Sequence, residues 1–200
     1  MPHQTETRNI INQSITAPER SGANSLVLSR PVDKYVSDSN FAMVHTKIVL
    51  GSDLVLVSDA DNAAKAGGAQ IFSFPDGYVT IHNARIAGSI GSSVQDMTSN
   101  AGEIGLGTAA ASGASATIGG SASFENILQG GRPAMSNMSA ATDLAVTAGG
   151  TTRTSSIGNF SSAASCFLNI ASTWGNVASP GNIIARTGME IDILWSIAEA

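Results

Sequence analysis

Charged side chains are scarce in this sequence, and so are aromatic rings. Asp, Glu, Lys and Arg make up 12% of the 200 residues, about half of the roughly 25% found in average soluble proteins. Aromatic residues make up 5%, and ten basic against fifteen acidic side chains give a net charge of −5. Lys and Arg form no cluster. Because nucleic-acid binding proteins normally carry a basic patch, we expect no nucleic-acid partner.

The chain also lacks the features of a disulfide-bonded, zinc-binding or membrane-spanning protein. Its single cysteine, Cys166, cannot form a disulfide within the chain, and no Cys/His cluster offers a zinc site. The apolar neighbours of Cys166 predict a small buried side chain. No signal peptide is visible, and the longest apolar run is far shorter than the roughly 20 residues of a membrane helix. We therefore expect a soluble protein made in a cytoplasm, without cofactor, metal or membrane partner.

Small and polar residues take the place of the missing charges. Gly contributes 21 residues, and the hydrophobic content of 42% is high enough for a folded core. The predicted surface is therefore rich in Ser, Thr, Asn and Gly rather than in Lys and Glu. Such a surface suits a protein that is packed in an assembly or lies outside a cell.

Residues 1–40 differ from the remainder of the chain. They are polar, contain proline and glycine, and show no helical or alternating hydrophobic period. We predict an extended N-terminal arm over residues 1–40, followed by a single domain over residues 41–200. The few apolar residues of the arm have no partner within it, so we expect them to contact another protein. These predicted contact residues are Ile10, Ile11, Leu26 and Leu28.

Short strand patterns separated by glycine-rich turns dominate residues 41–200. The turn Pro75-Asp76-Gly77 lies between two of them and predicts a β-hairpin, because Pro fixes φ and Gly permits positive φ. Residues 188–198 alternate most clearly, with apolar side chains at positions 189, 191, 193, 195 and 197. Seven or eight such strands, without a helix of ten residues, predict an all-β sandwich.

Two stretches of this domain carry no strand pattern. Residues 123–128 predict one helical turn, with Phe124, Ile127 and Leu128 facing inward. Residues 130–156 predict a long loop, because they hold Gly-Gly pairs and no apolar period. A loop of that length is more often functional than idle.

No motif points to catalysis. His45 and His82 fall in separate predicted strands, and His3 lies in the arm. Spacing alone does not exclude a Ser-His-Asp site, but the G-x-S-x-G elbow is absent. Residues 105–110 match G-x-G-x-x-A without the helix that a dinucleotide site needs. We interpret the histidines as exposed or hydrogen-bonded strand residues and expect no enzyme.

A group of acidic residues raises the alternative of a calcium site. The carboxylates and the amide that gather within ten positions are Asp53, Asp59, Asp61 and Asn62. Oxygen ligands at close spacing can hold calcium, but the calcium-loop pattern is absent. Side chains that bond the local backbone in turns are the simpler interpretation.

Four segments, in this order, resemble a known family: GYVTIHNA (77–84), GEIGLGTAA (102–110), FLNIA (167–171) and GMEIDILW (188–195). Their order and spacing are similar to those of the decoration, or cement, proteins on the heads of tailed bacteriophages. The four segments extend the resemblance over approximately residues 70–200. The arm and the 130–156 loop lie outside the shared pattern.

This resemblance implies a non-enzymatic virion protein, an antiparallel β-sandwich of jelly-roll-like build that is often trimeric. Such a protein sits on the outer surface of the capsid and stabilises the expanded shell against the pressure of the packaged DNA. The implied partner is the major capsid protein, and the implied oligomer is a homotrimer. Three arms that bind together would turn a weak contact into a strong one.

The alternative from another functional class is a receptor- or glycan-binding fibre or adhesin module of a virion. It would share the sandwich and the polar surface, and it would need exposed aromatic rings. Trp195 lies on the apolar face of the last strand and is expected in the core, whereas Trp174 is a candidate for exposure near a strand end. A hydrolase would need a general acid and base in one cleft, and the sequence nominates no such pair.

Overall fold

The computed structural model describes residues 19–21, 25–31, 41–60, 63–92, 102–119, 121–131, 143–149, 156–157, 164–174 and 181–198. These residues form thirteen strands and one 3₁₀ turn, Ala122–Phe124. The strands are β1 (Glu19–Ser21), β2 (Ser25–Pro31), β3 (Phe41–Val49), β4 (Leu54–Ala60), β5 (Ala64–Ser73), β6 (Tyr78–Ser92), β7 (Glu103–Gly107), β8 (Leu128–Gly131), β9 (Leu144–Gly149), β10 (Ser156–Ile157), β11 (Ser165–Thr173), β12 (Gly181–Ala185) and β13 (Glu190–Ala198).

The strands form two antiparallel sheets in a sandwich-like arrangement, which confirms the predicted all-β fold. The large sheet has the order β1-β2-β3-β13-β6-β12-β4, and β9 and β10 pair with β6. The small sheet has the order β5-β11-β7-β8. Two strands, β1 and β2, fall within the predicted arm, and they extend the large sheet beyond β3.

The core between the sheets is built from alternating apolar side chains. On β13, Ile191 and Ile193 are fully buried and Glu190 and Asp192 are half-buried, as the alternation predicts. Trp195 is buried as expected. Its ring packs edge-to-face with Phe74, which follows β5, at a centroid distance of 5.5 Å, and its indole N–H donates to Thr46 Oγ1 at 2.9 Å. The indole therefore packs without leaving an unpaired donor.

The hairpin predicted at Pro75-Asp76-Gly77 is wrong, although the turn itself is present. Gly77 has a φ of 134°, and the turn joins β5 to β6. However, β5 pairs with β11 in the small sheet, whereas β6 pairs with β13 in the large sheet. The turn thus carries the chain from one sheet to the other. Turn chemistry reverses the chain direction, but it does not decide which strands pair.

Two further sequence predictions need correction. The predicted 130–156 loop contains β9 and the first residue of β10, and β9 pairs with β6 over residues 85–90. The helical turn predicted over 123–128 is a 3₁₀ turn over Ala122–Phe124, and β8 begins at Leu128. The inward orientation of Ile127 and Leu128 is confirmed, because both are fully buried.

Residues 108–119 and 121–127, which we call the cap, cover the face of the small sheet that points away from the large sheet. Ala111 and Ile118 of the cap pack with Ala66 of β5 and Ala171 of β11 in a second hydrophobic cluster. The small side chains bring the cap close to the sheet. Both faces of β7 and most of β11 are therefore buried.

Three polar side chains hold the cap in place. Asn169 of β11 is fully buried and bonds the backbone at Ala109, Ala111 and Phe124. Glu103 of β7 is 7% exposed and accepts the backbone N–H groups of Ile118 (2.8 Å) and Gly119 (3.2 Å). Asn126 closes the cap by accepting the N–H of Thr108 (2.9 Å) and donating to its hydroxyl (3.0 Å).

Glycine is required where the cap lies on β7. A Cβ on Gly107 would overlap the backbone of Ser123 and Phe124. Gly107→Ala should therefore destabilise the fold by about 2–3 kcal/mol, measured by urea unfolding, because backbone cannot move aside as a side-chain end can. Gly119→Ala is the matched control, since its nearest contact would be an ordinary 3.6 Å. Equal stability of the two variants would contradict this account of the contact.

Candidate functional site

The outer face of the large sheet carries two cross-strand pairs of ionisable side chains. On β3 and β13, His45 Nε2 lies 3.0 Å from Asp192 Oδ1, and Lys47 Nζ lies 2.9 Å from Glu190 Oε1. Both contacts join neighbouring strands, so they contribute to strand pairing as cross-strand pairs. The hydrogen bond to Glu190 raises the pKa of Lys47. Each group is substantially exposed, and such pairs add little to stability.

The second strand histidine belongs to the same face. His82 of β6 is exposed, and its Nε2 lies 2.7 Å from Ser196 Oγ on β13. The structure thus brings Ser, His and Asp onto one face, but it joins His45 to Asp192 and His82 to Ser196. Ser196 is only 3% exposed. A nucleophile must reach its substrate, and this burial does not favour catalysis by Ser196.

Three charged side chains, Arg186, Asp53 and Asp143, connect the two loops that interrupt the large sheet. β12 and β13 lie along the same edge of β6, separated by residues 186–189, and residues 50–53 separate β3 from β4. Arg186 donates to Asp53 at 2.8 Å and makes two bonds of 3.0 Å to Asp143, just before β9. The backbone N–H of Thr187 donates to Asp53 at 2.9 Å. This cluster braces three chain segments that are distant in sequence.

The cluster explains one of the acidic residues considered for calcium binding. Asp53 accepts hydrogen bonds from Thr187 and Arg186, and these bonds hold its pKa below the ordinary aspartate value. The protein itself thus supplies the partners of this carboxylate. The side chain of Asp59, and Asp61 and Asn62 altogether, lie outside the described residues. Within the described part of the chain, no group of three His, Cys, Asp or Glu side chains is placed to hold a metal ion.

Asp53→Asn should lower the free energy of unfolding at pH 7 by no more than about 1 kcal/mol, because the pair is exposed. The lowered pKa of Asp53 means that its contribution is present above the unfolded-state value of about 4 and is lost as the pH falls through the folded-state value. The difference between wild type and variant, measured by urea unfolding, should therefore shrink in acid. A difference that stays constant from neutral to acid pH would contradict the assigned role of the carboxylate.

The predicted arm contacts fall in two groups. Ile10 and Ile11 lie outside the described residues. Leu26 and Leu28 lie on β2, opposite Val49 and Lys47 of β3, and their side chains are not described. Their contact with another protein stays a prediction.

The aromatic residues do not form an exposed platform in the described part of the chain. Trp174, the candidate for exposure, is fully buried, and its indole N–H donates to the carbonyl of Lys65 at 3.0 Å. Tyr78 at the start of β6 is 44% exposed, and Tyr35 lies outside the described residues. Cys166 is buried as predicted, and burial raises the pKa of its thiol, which makes it a poor nucleophile.

Comparison of the chain with protein-family models, with curated proteins and with solved structures finds no match. No helix in the described ranges is long and apolar enough to cross a membrane.

Proposed function

We propose that this protein is a non-enzymatic virion protein that binds the major capsid protein and stabilises the outer surface of a bacteriophage capsid. The observation that carries the proposal is where the four resembling segments lie. The first and last lie along β6 and β13, which pair in the large sheet, and the middle two along β7 and β11, which pair in the small sheet. The resembling segments therefore lie in the central strand pairs of both sheets. Sequence similarity between proteins of the same fold is expected in such strands.

The surface chemistry supports a structural role. The chain is poor in charge, and on the described outer face of the large sheet His45 and Lys47 contact Asp192 and Glu190 across strands. The strand histidines, His45 and His82, both contact neighbouring side chains, and the single cysteine is buried. A lattice protein needs a stable, repeated surface, and these features suit one.

The arm supplies the attachment in this proposal. β1 and β2 continue the large sheet outward from β3, and residues 1–18 precede them in the chain. A polar segment with a few apolar side chains, such as Ile10 and Ile11, can add to a neighbouring protein as an extended strand. In a homotrimer three such segments bind together, so the avidity of the complex greatly exceeds the affinity of one arm.

Co-sedimentation with empty expanded heads of the phage that encodes the chain tests the proposal. We expect saturable binding at hundreds of copies per particle, and heads that resist heat or chelator better with the protein than without it. A handful of copies per particle would contradict lattice decoration and favour the fibre or adhesin alternative. No binding to the heads would overturn the proposal.

A further inference from the structure

We draw no further inference here: the strongest candidate, the buried carboxylates of Glu103 and Glu125 that both face Gly119 beneath the cap, carries nothing, because Glu103 already accepts two backbone N–H groups of the cap and nothing else in the described part of the chain points to a cation between the two.

Discussion

Replacing Asn169 by alanine should destabilise the protein by about 3–5 kcal/mol. The Asn169 amide is fully buried between β11 and the cap. Its Oδ1 accepts the N–H of Ala111 at 2.8 Å, and its Nδ2 donates to the carbonyls of Ala109 (3.0 Å) and Phe124 (2.8 Å). Alanine would leave one buried donor and two partly buried acceptors of the cap unpaired. Each such group costs about 1–3 kcal/mol.

Urea unfolding measures the loss of global stability in Asn169→Ala, and hydrogen exchange measures the local opening of the cap. The midpoint should fall, and the amides of the cap should exchange faster than those of β6 and β13, because the cap loses its anchor before the sheets open. Asn83→Ala on the exposed side of β6 is the matched control and should change the free energy of unfolding by less than about 0.5 kcal/mol. A loss at Asn169 as small as at Asn83 would show that the amide does not hold the cap.

The strands that alternate strongly could be predicted from the sequence, because one buried face imposes a period of two. The pattern over residues 188–198 identified β13, and the β-branched residues after Phe41 identified β3. The partner of each strand could not be predicted, since pairing depends on contacts between distant residues. The turn at Pro75-Asp76-Gly77 shows the difference: its residues reverse the chain, yet the strands on either side join different sheets.

The cap left almost no signal in the sequence. Its residues are small and polar, so they show no hydrophobic period. The side chains that hold the cap in place lie far from it in the sequence. Asn169 reaches backbone atoms that lie 45, 58 and 60 positions away, and Arg186 reaches Asp53 across 133 positions. The abundant glycines were visible, but only the structure shows why Gly107 must be one: the cap backbone lies directly on it.

The candidate site was predicted least well, for a related reason. A functional surface depends on which side chains meet in three dimensions, and the spacing of residues in the sequence does not reveal those contacts. His45 and His82, which attract attention in the sequence as possible catalysts, contact Asp192 and Ser196 in the structure. The arm residues, in contrast, were selected because their apolar character has no local use. Their role stays a prediction.

Deleting residues 1–18 should weaken binding to heads on the order of 100-fold or more, because three arms of a trimer are lost together. The same deletion should leave the urea midpoint unchanged, since it stops before β1 begins at Glu19. The double substitution Ile10→Ser/Ile11→Ser should reproduce most of the loss if the apolar pair makes the contact. Co-sedimentation at increasing protein concentration gives the binding constant, and circular dichroism verifies the fold.

Deleting the whole arm, residues 1–40, is a different experiment, because it also removes β2. Six residues of β2 pair with β3, so this deletion would strip a strand from the large sheet and expose the backbone of β3 as a new edge. Lost capsid binding would then have two explanations, a missing contact or a damaged sheet. The shorter deletion separates them. Undiminished binding after removal of residues 1–18 would move the attachment to β2 or to the domain itself, and the Leu26→Ser and Leu28→Ser variants would then decide between those two.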